Sequence, residues 1–448
     1  VSVAEPRSHR VLIAGLGASG VAAARLAAKE GLTIVVTDLR PEADLGGALA
    51  RLPEIDSAFL GGHPLAALEG VDLVVTSPGI PADAEILVEA QRRGISIVPE
   101  VEFAWRRRRE APLVAVTGSN GKSTVTTLIA EMLADAGIAA VAGGNLGTPA
   151  SELVMGGGWD AWVLEVSSFQ AELMTTMAPR VGIFLNLSQD HLERHPSLAA
   201  YRDAKMRLFA RQGKADAAVF NADDPALAGA DVPARRLFFS LERRAEGWLD
   251  RGILRLGEEA VLPAGEMGIS GLHNVANALA AALAARELGV AAESAARTLR
   301  RFSGLAHRHA TVLDADGVRW VDDSKATNVG ATLAGLRGYP EGSVHLILGG
   351  LGKGQDFTAL AGEVRRAVRR LYLIGRDARR IAQALAGSAE IDECGTLAEA
   401  VVRARRRVRA GETVLLAPAC ASFDQFSGYA ERGEAFVRLV REGVEACP

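Results

Sequence analysis

Short runs rich in Val, Ile and Leu alternate with Ala- and Leu-rich stretches of helical length along the whole of this 448-residue chain. A chain with that order satisfies its strands by laying them parallel and covering the sheet with the intervening helices. The fold class is therefore α/β. Strands are expected at Arg10–Ala14, Thr33–Thr37 and Leu73–Thr76, with a short strand and Pro99 between Ile97 and Glu102. A second series is expected at Leu113–Thr117, Ala161–Val166, Val181–Asn186 and Ala217–Asn221, followed by hairpin-like alternation over Trp248–Leu262 and an Ala-rich helix from Asn274. A third series follows at Arg319–Asp322, Val344–Leu348, Leu371–Ile374 and Thr413–Ala417. The length exceeds what one core accommodates. Three domains are expected, over residues 1–100, 101–304 and 305–448.

Composition narrows the partners. With 49% hydrophobic and 23% charged residues the chain is globular throughout, and a formal charge of −4 gives no field for nucleic acid or an acidic membrane. The basic runs Arg106–Arg109 and Arg405–Arg407 read as solvated helix faces without function. Cys394, Cys420 and Cys447 lack CxxC spacing, which supports neither a disulfide framework nor a zinc site. No basic stretch followed by an apolar core opens the sequence, so a cytoplasmic protein with no membrane insertion is expected.

Thr117-Gly118-Ser119-Asn120-Gly121-Lys122-Ser123-Thr124 lies between a β-branched strand and an amphipathic helix. In that setting backbone N–H groups and the helix N-terminus cradle phosphates, and Lys122 neutralises the terminal ones. The strict pattern places glycine where Val116 stands, so the loop is a variant of it. ATP with Mg2+ is the expected ligand. Glu165, ending the next predicted strand, suits a magnesium site, and His191 offers a second ligand. Lys205, read alone, is a surface helix lysine. A second glycine loop, Gly15 to Gly20, follows the first strand, and Asp38 ends the next one. This spacing fits a nicotinamide dinucleotide but serves any diphosphate-bearing nucleotide equally, because the physics is that of backbone N–H groups meeting a pyrophosphate.

The segments Gly118–Thr124, Leu164–Gln170, Asn186–His191, His273-Asn274, His307-Arg308 and Asp323–Asn328 together resemble the Mur ligases, across all three expected domains. Within that family, Ser422–Phe426 and Asp323–Asn328 resemble the branch that adds D-glutamate to UDP-N-acetylmuramoyl-L-alanine. No Asp-Asn-Pro-Arg, which marks the diaminopimelate-adding relatives, occurs in the C-terminal part. The resemblance implies a Rossmann-like N-terminal domain for the UDP moiety, a central phosphate-loop ATPase domain and a Rossmann-like C-terminal domain for the amino acid. It implies that Ser19, Asp38, Arg40, Gly79 and Asn145 contact the UDP-sugar. The nucleotide falls to Gly118, Ser119, Asn120, Gly121, Lys122, Ser123, Thr124, Asn274, Arg308 and Asp323. Lys122, Glu165, His191 and Lys205 are the implied catalytic set, and Ser123, Glu165, His191 and Lys205 the implied metal set, with Lys205 carbamylated. Thr327, Lys353, Ser422 and Tyr429 fall where the family binds glutamate, Tyr429 standing in place of the more familiar phenylalanine. A monomer is expected. The chemistry it implies, attack of an alanyl carboxylate on ATP and then of an amine on the acyl phosphate, calls for a C-terminal domain that closes to exclude water. The rivals are a sister or folylpolyglutamate-type ligase, a dehydrogenase built on Gly15–Gly20, and a noncatalytic nucleotide-binding regulator.

Overall fold

The computed structural model describes residues 9–145, 147–191 and 194–445. Cys447 lies outside the described residues. The chain forms two compact units, one built from the residues up to Leu187 with Ala199–Ala264 and Ala276–Leu299, the other from Ser188–Leu198, Gly265–Val275 and Arg300 onward.

The first unit contains two sheets. Five parallel strands run in the order Ser57–Leu60, Thr33–Asp38, Arg10–Ala14, Leu73–Thr76, Ser96–Pro99. The order reverses between Arg10–Ala14 and Leu73–Thr76, which opens a crevice for a ligand at the strands' carboxyl ends. Val11 and Ile13 enter one apolar cluster and Leu12 and Ala14 another, so both faces of this strand are covered. That explains its unbroken apolar run. The helix Ala18–Lys29 lies close because its buried face is mostly small, Gly20, Ala22, Ala23, Ala24 and Ala27 beside Val21 and Leu26. At Gly20 a side chain is impossible, since a Cβ would stand 1.8 Å from the Gly15 carbonyl oxygen.

The second sheet has nine strands, with Leu113–Thr117 between Ala161–Glu165 and Val181–Phe184. Its far end, Gly247–Asp250, Ile253–Leu256 and Glu259–Pro263, is antiparallel as the alternating pattern there suggests. The other unit holds six strands, in the order Ala310–Ala315, Val318–Asp322, Thr413–Leu416, Val344–Gly349, Val368–Ile374, Glu390–Gly395. Only the first pair is antiparallel. Its central strands also alternate between two cores, with Leu346, Leu348, Leu371 and Leu373 on one face and Ile347, Tyr372 and Ile374 on the other.

Two expectations need correction. Between Ile97 and Glu102 the strand stops at Pro99, and Glu100–Trp105 is a helix with both of its glutamates buried. Glu102 accepts from the backbone N–H and hydroxyl of Thr175 at 2.7 and 2.8 Å, from those of Thr176 at 2.9 and 2.7 Å, and from Arg106 at 2.8 Å. Burial pushes its carboxyl up, but these bonds outweigh it and hold the pKa below the ordinary value. Glu100 has fewer partners, and burial pushes it up to about 7. The basic runs, in turn, are not simply solvated helix faces. Arg106 answers Glu102, Arg107 pairs with Glu30 at 2.6 Å, Arg405 donates to the Val440 carbonyl at 2.7 Å, and Arg407 reaches Asp392 at 2.9 Å. Carboxylates and a helix carbonyl recruit these guanidinium groups.

Candidate active site

The strand Leu113–Thr117 delivers the chain into a turn that ends at Gly121, with φ of 86°, and the helix Lys122–Asp135 begins at once. A Cβ at Gly121 would stand 2.3 Å from Asn277 Oδ1, so glycine is required on space as well as on φ. No side chain caps this helix. The start of a helix is the setting in which backbone N–H groups and the helix dipole favour an anion. Asn186 fixes the loop from the neighbouring strand's end: its Oδ1 accepts from Asn120 N at 2.9 Å and its Nδ2 donates to Asn120 O at 3.1 Å, while Ser119 N donates to Asn186 O at 3.0 Å.

Lys122 folds back over the loop, with Nζ 2.9 Å from Gly118 O and 3.0 Å from Ser119 O. Ser123 Oγ donates to Glu165 Oε2 at 2.5 Å, and Asn145 Nδ2 donates to Oε1 of the same carboxylate at 2.7 Å. Lys205 is not a surface lysine. On the helix Leu198–Met206 it is 1% exposed, and its Nζ donates to Gly118 O at 2.9 Å and lies 4.5 Å above the Tyr201 ring. The structure thus brings Lys122, Ser123, Glu165, Asn145 and Lys205 around the loop. A hydroxyl and a carboxylate side by side are hard oxygen donors of the kind magnesium takes along with its waters and phosphate oxygens. Among the described residues no group of three or more His, Cys, Asp or Glu gathers into a metal cage. Asn277, which the sequence reading passed over, backs the loop. Its signal was a single polar residue in the otherwise apolar stretch Val275–Ala285 of the helix Leu272–Arg286.

At the five-stranded sheet, Asp38 Oδ2 accepts from Leu16 N in the glycine loop at 2.7 Å, and Arg40 closes on the same carboxylate through Nε at 3.0 Å and Nη2 at 2.9 Å. Burial opposes the charge on Asp38, but the bonds from Arg40 and Leu16 outweigh it and lower the pKa to about 2. Ser19 sits in the first turn of the helix behind this loop, and Gly79 in the exposed turn after Leu73–Thr76. Ser77 Oγ ties the two turns together by donating to Gly15 O at 2.8 Å.

The second unit assembles its polar groups from distant segments. Buried Asp190 accepts from Asn328 Nδ2 at 2.9 Å and from Lys353 Nζ at 3.3 Å, and His191 beside it is half-exposed. Burial raises the Asp190 carboxyl, yet the charges of Lys353 and His191 and the Asn328 bond leave it below its ordinary pKa. His307 Nδ1 lies 2.6 Å from Asp322 Oδ2, and the Asp323 carboxylate accepts from His309 N at 3.2 Å. Asn274 Nδ2 donates to Ser270 O at 2.8 Å. Lys325 Nζ stands 3.8 Å over the Tyr429 ring. Arg432, one helical turn beyond Tyr429 and 1% exposed, donates to Ser324 Oγ at 3.0 Å, Ser324 O at 2.8 Å and Cys420 O at 3.1 Å. It thereby pins the stretch that carries Asp323, Lys325 and Thr327 to the one that carries Ser422. Burial lowers its guanidinium to about 10, still charged at neutral pH. Arg308 lies in the turn after Leu305. His191, His307, His309, Lys353 and Ala419 all have φ between 43° and 60°, a strained region for residues with a Cβ that clusters at working sites.

Three family descriptions match the chain: the MurD-like N-terminal domain of Mur ligases over residues 9–99, the Mur ligase middle domain over 116–285, and the Mur ligase glutamate ligase domain over 307–420. The UDP-N-acetylmuramoylalanine–D-glutamate ligase of Anaeromyxobacter dehalogenans is 45% identical, covering 98% of each chain. That of Pelotomaculum thermopropionicum is 43% identical, covering 96% of this chain and 97% of its own. Among solved structures, MurF ligase from Thermotoga maritima in complex with ADP has a TM-score of 0.63 at 18% identity, covering 92% of this chain and 95% of that one. UDP-N-acetylmuramate-alanine ligase from the same organism has a TM-score of 0.61 at 19% identity, covering 98% and 100%. These two likenesses concern the three-domain α/β fold.

Proposed function

The chain belongs to the Mur ligase family, and from that premise we propose that it joins D-glutamate to UDP-N-acetylmuramoyl-L-alanine at the expense of ATP, in peptidoglycan precursor synthesis. The observation that carries the reading is the loop Gly118–Thr124 with Lys122 folded over it and Ser123 bonded to Glu165. The alanyl carboxylate is a poor electrophile. Its oxygen attacks the γ-phosphorus of ATP, the bond to ADP breaks, and an acyl phosphate results. Backbone N–H groups of the loop and the Lys122 ammonium hold the phosphoryl oxygens as negative charge redistributes. The glutamate amine then attacks the acyl carbon, loses a proton and expels phosphate, leaving an amide.

Ser123 and Glu165 would hold Mg2+, with His191 as a further ligand, and the ion supplies charge neutralisation on the phosphates. Lys205 enters this set as a carbamate: its neutral amine bonds to the carbon of CO2 and a proton is released, so that a buried cation becomes an oxygen donor. Its burial beside Gly118 O supports that role. The UDP moiety belongs with residues 1–100, at Ser19, Asp38, Arg40 and Gly79, with Asn145 reaching it from the central segment. ATP belongs with 101–304, joined by Arg308 and Asp323, and glutamate with 305–448, at Thr327, Lys353, Ser422 and Tyr429. The enzyme works as a cytoplasmic monomer; among the described residues no helix is long and apolar enough to cross a membrane.

Phosphate release tests the scheme. It should require ATP, Mg2+, the UDP-sugar and glutamate together. Release that ignores the UDP-sugar or the amino acid would sink the ligase reading.

A further inference from the structure

The helix Ala150–Met155 follows Pro149 and has no side-chain cap of its own. At its start Glu152 N and Leu153 N turn back to Pro149 O at 3.0 and 3.2 Å, and the N–H groups of Ala150 and Ser151 remain. A residue 51 positions before Ser151 meets them. Glu100, 1% exposed, accepts from Ser151 N at 2.5 Å through Oε1, while its Oε2 is buried with no hydrogen-bond partner. Burial pushes this carboxyl up to about 7, against the pull of Ser151 and Ala150. The arginines of the helices packed here answer other carboxylates, Arg25 that of Glu152, Arg106 that of Glu102 and Arg107 that of Glu30. Glu100 therefore works as a single acceptor oxygen of fixed reach and not as one half of an ion pair.

The residues just before this helix start give the contact its weight. Thr148 O accepts from Gly144 N at 2.9 Å, and neither Gly143 nor Gly144 has room for a side chain: a Cβ would stand 2.5 Å from Thr148 O at the first and 2.6 Å from Glu165 O at the second. Asn145 comes next, its N donating to Glu165 O at 2.9 Å and its Nδ2 to Glu165 Oε1 at 2.7 Å. Packing this close passes a displacement on, because it has no slack to absorb one.

We propose that Glu100 is a positioning residue for the reaction: by holding Ser151 it sets where Asn145 stands, and through Asn145 the orientation of the Glu165 carboxylate. The inference rests on the reading that Asn145 and Glu165 belong to the site for the UDP-sugar and magnesium.

Two substitutions separate reach from charge. Glu100→Gln keeps an oxygen at the same distance and loses the charge, whereas Glu100→Asp keeps the charge and loses a methylene of reach. Each is made alone and together with Asn145→Ala in the full chain, and phosphate release is followed with ATP, Mg2+, the UDP-sugar and glutamate. Glu100→Gln should stay within about twofold of the wild type, since its oxygen still accepts from Ser151 N. Glu100→Asp should lose about tenfold in kcat/KM for the UDP-sugar, the worth of one well-placed hydrogen bond, and need more Mg2+ for half its maximal rate, with the KM for glutamate unchanged. In the Asn145→Ala background Glu100→Asp should cost less than about twofold more, because the two residues act along one chain of contacts. Full activity of Glu100→Asp, equal costs in the two backgrounds, a loss shared by Glu100→Gln, or unfolding of Glu100→Asp at the assay temperature overturns the inference and leaves the ligase reading standing. An Asn145→Ala enzyme of wild-type activity overturns the placing of Asn145 in the site as well.

Discussion

In the first unit the phosphate loop is one unbroken run, Gly118 to Thr124, and its partners Asn186, Glu165 and Asn277 stand on flanking elements of a single sheet and its covering helix. In the second unit the polar groups come from residues near 190, 307–309, 322–328, 353, 420–422 and 429–432, and a buried arginine pins two of those stretches together. On the proposed function, the contrast reflects what each has to hold. A phosphate is met by repeated backbone N–H groups, which a short glycine-containing loop at a helix start supplies unaided. A small amino acid needs single side chains aimed from several directions, and each must be held by something else.

If the loop works through its own geometry, removing its one cation should cost chemistry and not folding. Lys122→Ala should lose at least ~3 kcal/mol of transition-state stabilisation, more than a hundredfold in kcat/KM, while its thermal unfolding matches the wild type. Near-normal phosphate release from the folded variant would refute the assignment. Lys205→Ala should fall by about a hundredfold. If it works as the proposed carbamate, a carboxylate-like oxygen is what it loses, and short carboxylic acids should restore part of the activity. Recovery with alkylamines alone would show instead that the positive charge mattered.

The second unit should break differently. Arg432→Met removes donors from Ser324 O and Cys420 O, and two buried carbonyls left without them cost roughly 2–3 kcal/mol. Urea unfolding should show that loss, and the KM for glutamate should rise while the phosphate loop still binds ATP. Unchanged stability would mean that this pin is dispensable. The smallest effect is expected at Asp38. Asp38→Asn should raise the KM for the UDP-sugar about fivefold, about the worth of one hydrogen bond, and leave that for ATP unaltered. Its folded pKa, about 2, lies below the ordinary carboxylate value, so the stability it contributes is complete above pH ~4 and is lost as pH falls toward 2. The wild type should show that acid-side loss in denaturant titrations, and the variant should lack it.

Legibility in the sequence follows the same division. Arg10–Ala14, Leu113–Thr117 and Val344–Leu348 could be read directly because both of their faces are buried, which leaves unbroken apolar runs. Ser57–Leu60, Ala140–Gly144 and Glu390–Gly395 went unread. They are edge strands, half-covered, with small or charged residues at the uncovered positions. The loop and Glu165 were legible as a contiguous motif and a strand end. Lys205 by itself read as surface, and only the family resemblance placed it among the site residues, because nothing local marks a helix lysine whose amine is drawn under a loop 87 residues away. Arg432 and Glu102 were missed for a like reason. A charged side chain is assigned to solvent until the fold reveals the carbonyls or hydroxyls that satisfy it.

The most direct test of the account is the mass of what the enzyme makes. With ATP, Mg2+, UDP-N-acetylmuramoyl-L-alanine and each glutamate enantiomer supplied separately, the D-enantiomer should convert the UDP-sugar into a species heavier by one glutamyl residue, with one ADP and one phosphate formed per product. A UDP-sugar of unchanged mass despite ATP turnover, or a product formed with L-glutamate in place of D-glutamate, would contradict it.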